Sequence, residues 1–134
     1  MLIDTDLIPI KEKADLGDAE AQLEIAGAFF LGRGVPKSIQ RAKHYYELLA
    51  ARPPDEVDFL GYGTLLALIG KLAARERKFR ESRFWFEEAY KYITTTYVDD
   101  LAKEIMEEID LDEYMKSVGC KPMDQVSAAS NTAD

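Results

Sequence analysis

The chain is short of the residues that build reactive centres. Among 134 residues there is one cysteine, Cys120, one histidine, His44, and one tryptophan, Trp85. A single cysteine excludes an internal disulfide and suits a reducing compartment. His44 has no cysteine near it and only Glu47 three residues on, which is no metal-ligand spacing; its helical register places it on a solvated face. Cys120 has Lys121 beside it but no base and no third group to orient one, so it reads as an incidental thiol. Long apolar runs are also missing, since no stretch reaches the roughly 18 residues of a spanning helix. The opening residues Met1-Leu2-Ile3-Asp4-Thr5-Asp6 carry acid where a secretory leader carries Lys or Arg. Positive charge is the scarcer sign, with 17 Lys and Arg against 25 Asp and Glu, a net charge of −8. That balance disfavours generic binding to nucleic acid or to anionic membrane. The expectation is a soluble cytoplasmic protein with no nucleic-acid partner, no membrane and no cofactor.

What is present is helical pattern. Hydrophobic residues make up 47% of the chain, enough for the core of one domain. Eight glycines and five prolines punctuate long helical periods and leave no obvious place for a β-sheet.

The stretch from Gly17 to Ala51 organises the rest. Asp18 to Phe30 repeats apolar residues at spacings of three and four, as does Ile39 to Ala50, and that period is a helix with one buried face. Between them lies Leu31-Gly32-Arg33-Gly34-Val35-Pro36-Lys37-Ser38. Two glycines take positive φ at low cost, a proline fixes the next φ, and Ser38 is suited to cap the second helix. Gly17 and Asp18 supply a stop and a cap in the same way at the first helix.

In this register residues 17–51 resemble the Sel-1-like repeat, a relative of the tetratricopeptide repeat. Ala19, Ala21 and Gln22 match the opening of that pattern, and Ile25 and Phe29 its apolar and aromatic places. Gly32, Gly34, Val35 and Pro36 match the turn; Ala42, Tyr45, Tyr46 and Ala50 match the second helix. Ala26 stands for Gly, Ser38 for Asp and Tyr45 for Trp, and none of the three contradicts the chemistry.

A second, degenerate tetratricopeptide-like unit is expected at about residues 55–97. Arg52-Pro53-Pro54-Asp55 makes a break, a helix is expected from Glu56 to Glu76, Lys78-Phe79-Arg80 interrupts, and another helix runs from Glu81 to Tyr97. Gly61, Gly63 and Gly70 lie in the first of these, where each interior glycine costs roughly 1 kcal/mol and so needs a reason such as close helix approach. Gly70, Ser82, Phe86 and Ala89 fall at the small and aromatic places of the family pattern. Thr94 replaces a helix-ending Pro, and Ala73 an aromatic. Residues 6–16 are read as an orphan helix covering one end. A last helix is expected from Asp99, continued by Ile109, Tyr114 and Met115 and ended by Gly119. Residues 120–134 lack period and bulk and are expected to be a flexible tail after a single domain at 1–119.

Charge and aromatics give the remaining candidates. Lys71, Arg75, Arg77, Lys78, Arg80 and Arg83 form a basic stretch, and eight acids crowd Asp99 to Glu113 against Lys103. They are read first as intramolecular balance and second as a patch for an acidic partner peptide or nucleic acid. Adjacent aromatics such as Phe29-Phe30 cannot share one helix side, so one of each set turns to a neighbour or outward as a contact candidate.

The fold expected from these readings is all-α: a short right-handed stack of antiparallel helix hairpins of the α-solenoid type, with helical caps at both ends. The resemblance implies a non-enzymatic protein-protein interaction module, an adaptor, assembly factor or inhibitor, holding a peptide or folded partner on its concave surface. That surface would draw on Glu20, Leu23, Gly27 and Leu31 from one helix and on Thr64, Ala67, Lys71 and Arg75 from the next. Self-association through an open end of the stack is a further possibility. The alternative class is a small-ligand binder or an enzyme with a pocket between helices, although no catalytic set, phosphate loop or metal spacing supports it.

Overall fold

The computed structural model describes residues 3–57 and 61–120, and over these the chain is all-α. Seven α-helices occur with no strand among the described residues: α1 Ile8–Asp15, α2 Ala19–Leu31, α3 Ile39–Ala50, α4 Tyr62–Arg75, α5 Phe79–Thr96, α6 Asp99–Glu108 and α7 Leu111–Ser117. Short 3-10 turns span Thr5–Leu7 and Pro54–Val57. No helix among the described residues is long and apolar enough to cross a membrane. The chain divides into two compact units, with the boundary between Leu65 and Leu66 inside α4.

In the first unit the caps fall where the side chains demand them. The Asp18 carboxylate accepts from the Ala21 N–H at 2.9 Å, and the Ser38 hydroxyl accepts from the Arg41 N–H at 3.1 Å. α2 ends on Gly32 at φ 71°, and the Arg33 N–H reaches back to the Ala28 carbonyl at 2.9 Å, which closes the last turn. Gly34, at φ 76°, carries a second constraint: a Cβ there would lie 2.7 Å from Leu7 Cδ1 and 2.9 Å from Asp4 Oδ2. The N-terminal segment is laid against this turn, with the Asp4 N–H donating to the Gly34 carbonyl at 2.8 Å. α2 packs on both α1 and α3, burying Ile25, Phe29, Tyr45 and Leu49. Phe29 and Tyr45 lie nearly parallel, with ring centres 6.1 Å apart. Buried Gln22 donates to the Ala14 carbonyl at 3.1 Å and satisfies the end of α1.

In the second unit Gly70 explains itself. A Cβ at that position would sit 2.8, 2.9 and 3.1 Å from three carbons of the fully buried Phe86 ring. The buried Ser82 hydroxyl donates to the Gly70 carbonyl at 2.7 Å, tying α5 to the same point of α4. Ser82, Phe86, Ala89 and Ile93 are the buried face of α5. The close approach expected from an interior glycine is therefore present.

Three boundaries differ from the sequence expectation. The helix expected from Glu56 begins at Tyr62: Gly61 stands outside it at φ 81°, and Glu56 belongs to the 3-10 turn. The break before α5 comes at Arg77, not at Lys78-Phe79-Arg80. Arg77 takes φ 60°, and the Lys78 N–H closes back on the Ala73 carbonyl at 2.9 Å. A non-glycine residue in that conformation gives the sequence no signal, because it is bought with roughly 1–2 kcal/mol of local strain. The helix expected from Asp99 to Gly119 is two helices, with Asp110 at φ 54° between them. Leu111 follows the buried Ala102 by nine residues, about two and a half turns at 3.6 residues per turn, and would point to the opposite side of a straight helix. The break at Asp110 lets Ala102, Leu111 and Met115 all be buried. Of the expected tail only Cys120 is described; residues 121–134 lie outside the described residues.

Candidate functional site

The outward side of α2 is the best-formed part of the expected surface. Glu20, Leu23, Gly27 and Leu31 follow at spacings of three and four and share one side of the helix. α1 and α3 take the other sides. Glu20 is exposed, Leu23 half-buried and Leu31 58% exposed, and a Cβ at Gly27 would meet nothing within 4 Å. An exposed apolar residue at one end and a glycine with space above it in the middle make a low face on which another chain can lie close.

The matching register of α4 is less uniform. Thr64 and Arg75 are exposed, but Ala67 is buried at 1% and offers a partner nothing. Lys71 is half-buried, with Nζ 4.4 Å from the centre of the Tyr114 ring, a cation–π contact within the second unit. Burial holds its pKa below the usual lysine value; the Asp110 charge opposes that and Arg75 adds to it. Lys71 and Arg75 thus do not form the simple exposed pair that their spacing suggests. Arg83 is also turned inward, donating to the Val118 carbonyl at 3.0 Å, and Lys78 lies 4.0 Å from Glu81. Much of the basic stretch is used within its own unit.

One cluster of titratable groups occurs in the first unit. The Lys11 ammonium and the Tyr45 hydroxyl both donate to the Asp15 carboxylate, each at 2.7 Å, and the His44 ring meets the Tyr45 ring edge-on at 5.1 Å between centres. The bond from Lys11 pulls the Asp15 pKa below its usual value against the effect of burial, with Tyr45 assisting. Lys11 is raised by its bond to Asp15. Tyr45 is raised by burial and then by Asp15. Each of these three shifts strengthens the form its group carries at neutral pH, so Lys11, Asp15 and Tyr45 are not poised to exchange a proton there. The cluster ties α1 to α3.

Cys120 is half-buried, its N–H donating to the Met115 carbonyl at 2.9 Å. Burial and then the Glu87 carboxylate push its thiol pKa up, with Arg83 opposing, so the thiol is protonated at neutral pH. No group of three or more His, Cys, Asp or Glu among the described residues is placed to hold a metal ion. Open depressions exist: one of about 390 Å³ touches Asp4, Leu7, Glu24, Ala28 and Arg33, and another of about 330 Å³ lies between Met106, Glu107, Asp110 and Glu113. Neither brings together a nucleophile, a base and an oxyanion donor.

Among the aromatics, Phe29 and Phe86 are fully buried, Tyr45 and Tyr46 are buried, and Phe79, Phe84 and Tyr114 are exposed, Phe84 the most so at 53% and edge-on to Trp85 at 5.3 Å. The buried residues Ser82, Phe86 and Ala89 place Phe84 off the core side, a phase that the sequence alone already carries. Compared with known proteins, the chain matches no family model, no curated protein and no solved structure.

Proposed function

We propose that this chain is a helical-repeat interaction module, a non-enzymatic adaptor, assembly factor or inhibitor that holds a peptide or a folded partner protein on exposed helix faces. The reading treats residues 17–51 as a Sel-1-like repeat and about 55–97 as a degenerate tetratricopeptide-like one, arranged as a short right-handed stack of hairpins. What supports it in the first unit is the α2–turn–α3 pair with its Gly34 bend and Phe29–Tyr45 plate. In the second, support comes from Gly70, Ser82 and Phe86 meeting at one point. The observation that carries the function is the outward side of α2, where Leu31 is 58% exposed and a Cβ at Gly27 would meet nothing within 4 Å. Folding gains nothing from leaving a leucine in water, whereas a partner covering it gains apolar burial.

The test is affinity capture from the native host, with wild type compared against a Glu20→Lys, Leu31→Glu double variant. Both residues are exposed, so helicity and melting temperature should stay near wild type. Loss of a specific partner with the variant supports the reading. An identical set of captured proteins refutes the α2 face. Charge reversal at Lys71 is a poorer test, because it also removes the contact with Tyr114.

A further inference from the structure

α6 is an acidic helix whose apolar side is only partly covered. Within the second unit it packs against α5 and α7, yet Ala102 is its only buried residue. Val98, at its N-cap, is 75% exposed and Leu101 43% exposed, while Ile105 and Ile109 are half-buried. Leu101, Ile105 and Ile109 recur every four residues and make a ridge of about 12 Å at 1.5 Å per residue, roughly two turns of an opposing helix. Beside the ridge Glu104 and Glu108 are exposed, and Asp99, Asp100 and Glu107 are exposed further round, against Lys103 alone on this helix. The ion pairs Lys78–Glu81, Lys91–Glu88 and Lys116–Glu113 do not involve the α6 acids.

We propose that this edge of α6 is a docking surface for a basic amphipathic helix of a partner protein, whose apolar stripe covers Val98, Leu101 and Ile105 while its Lys and Arg flanks meet Glu104 and Glu108. The inference rests on the interaction-module reading and adds the chemistry of the partner. Charge complementarity chooses the occupant. An anionic lipid surface or a nucleic acid is repelled by five exposed acids on α6, and a second copy of this chain brings a net charge of −8 against them. A helix suits the ridge because anchors spaced three and four residues apart match it.

The experiment is a fluorescence-anisotropy titration with a model helix of about 18 residues, Leu along one face and Lys along the flanks, and with a Glu-flanked version as control. The intact chain should bind the Lys probe and not the Glu probe. Val98→Ser with Leu101→Ser should weaken binding about tenfold or more. Glu104→Gln with Glu108→Gln should weaken it about three- to tenfold near 50 mM salt and much less near 300 mM. Circular dichroism should be unchanged in both variants. Absent binding, or binding indifferent to these four substitutions, overturns the proposal. So does a dimer seen by light scattering that Leu101→Ser dissociates, since the occupant is then a second copy. Capture that still depends on Glu20 and Leu31, alongside a failed probe titration, removes the α6 surface and leaves the module reading standing.

Discussion

Gly70 and Gly27 are both interior helix glycines, and the structure assigns them opposite responses to the same substitution. Replacing a helix-interior glycine with alanine restrains the unfolded chain and improves helix propensity, a gain of about 0.8–1 kcal/mol where nothing opposes it. At Gly27 nothing lies within 4 Å of the added methyl, so the gain is kept. Gly27→Ala should therefore raise the melting temperature of the first unit by about 4–8 °C, taking the usual conversion for a segment of this size. At Gly70 the methyl would lie 2.8–3.1 Å from carbons of Phe86, well inside the roughly 3.5–4.0 Å of a relaxed carbon contact. The Phe86 ring is fully buried, so it has no free side to swing toward. Overpacking of this kind costs about 1–3 kcal/mol, here toward the upper end because a rigid ring is the obstacle. Net of the propensity gain, Gly70→Ala should destabilise by about 1–2 kcal/mol and lower the melting temperature of the second unit by about 5–10 °C. Thermal and urea melts followed by circular dichroism read both variants. In a Phe86→Leu background, Gly70→Ala should turn neutral or stabilising. Two glycine variants that stabilise alike would refute the close approach of α4 and α5.

Gly34→Val should destabilise by more than the roughly 1 kcal/mol of a simple helix-interior change, because the residue sits at φ 76° with Leu7 and Asp4 against it; a neutral melt would reject the register of the turn. Asp15→Asn tests the tie between α1 and α3 through pH. The folded-state pKa of Asp15 is below its ordinary 3.8, so the carboxylate's contribution is present above that value and fades as pH falls through the lower folded value. The gap in melting temperature between wild type and Asp15→Asn should thus be full at neutral pH and close in strong acid, and a gap that widens on acidification contradicts the assignment. Lys11, whose pKa is raised above 10.5, keeps its contribution below that value and loses it as pH climbs through the higher folded one.

The sequence determined by itself the features that depend on local chemistry. Asp18 and Ser38 cap because a short side-chain oxygen meets an unpaired N–H, and Gly32 and Gly34 bend because they lack a Cβ. Periods of three and four placed Ile25, Phe29 and Leu49 in a core, and an interior glycine at Gly70 announced a close neighbour. That neighbour is Phe86, and its contact with Gly70 is a matter of packing. Other decisions belonged to tertiary structure. Arg77 and Asp110 turn the chain at positive φ with no glycine to signal it, because the packing of α5 and α7 outweighs the local strain. Ala67 shares a helix side with Thr64 and Arg75, yet burial separates it from them. The spacing of Lys71 and Arg75 suggests an exposed cationic pair, but Tyr114, 43 residues further along the chain, places a ring beneath the Lys71 ammonium. Period and composition say which side of a helix is apolar; only the neighbouring elements decide how much of that side remains in water, and on α2 and α6 that remainder is what a partner can reach.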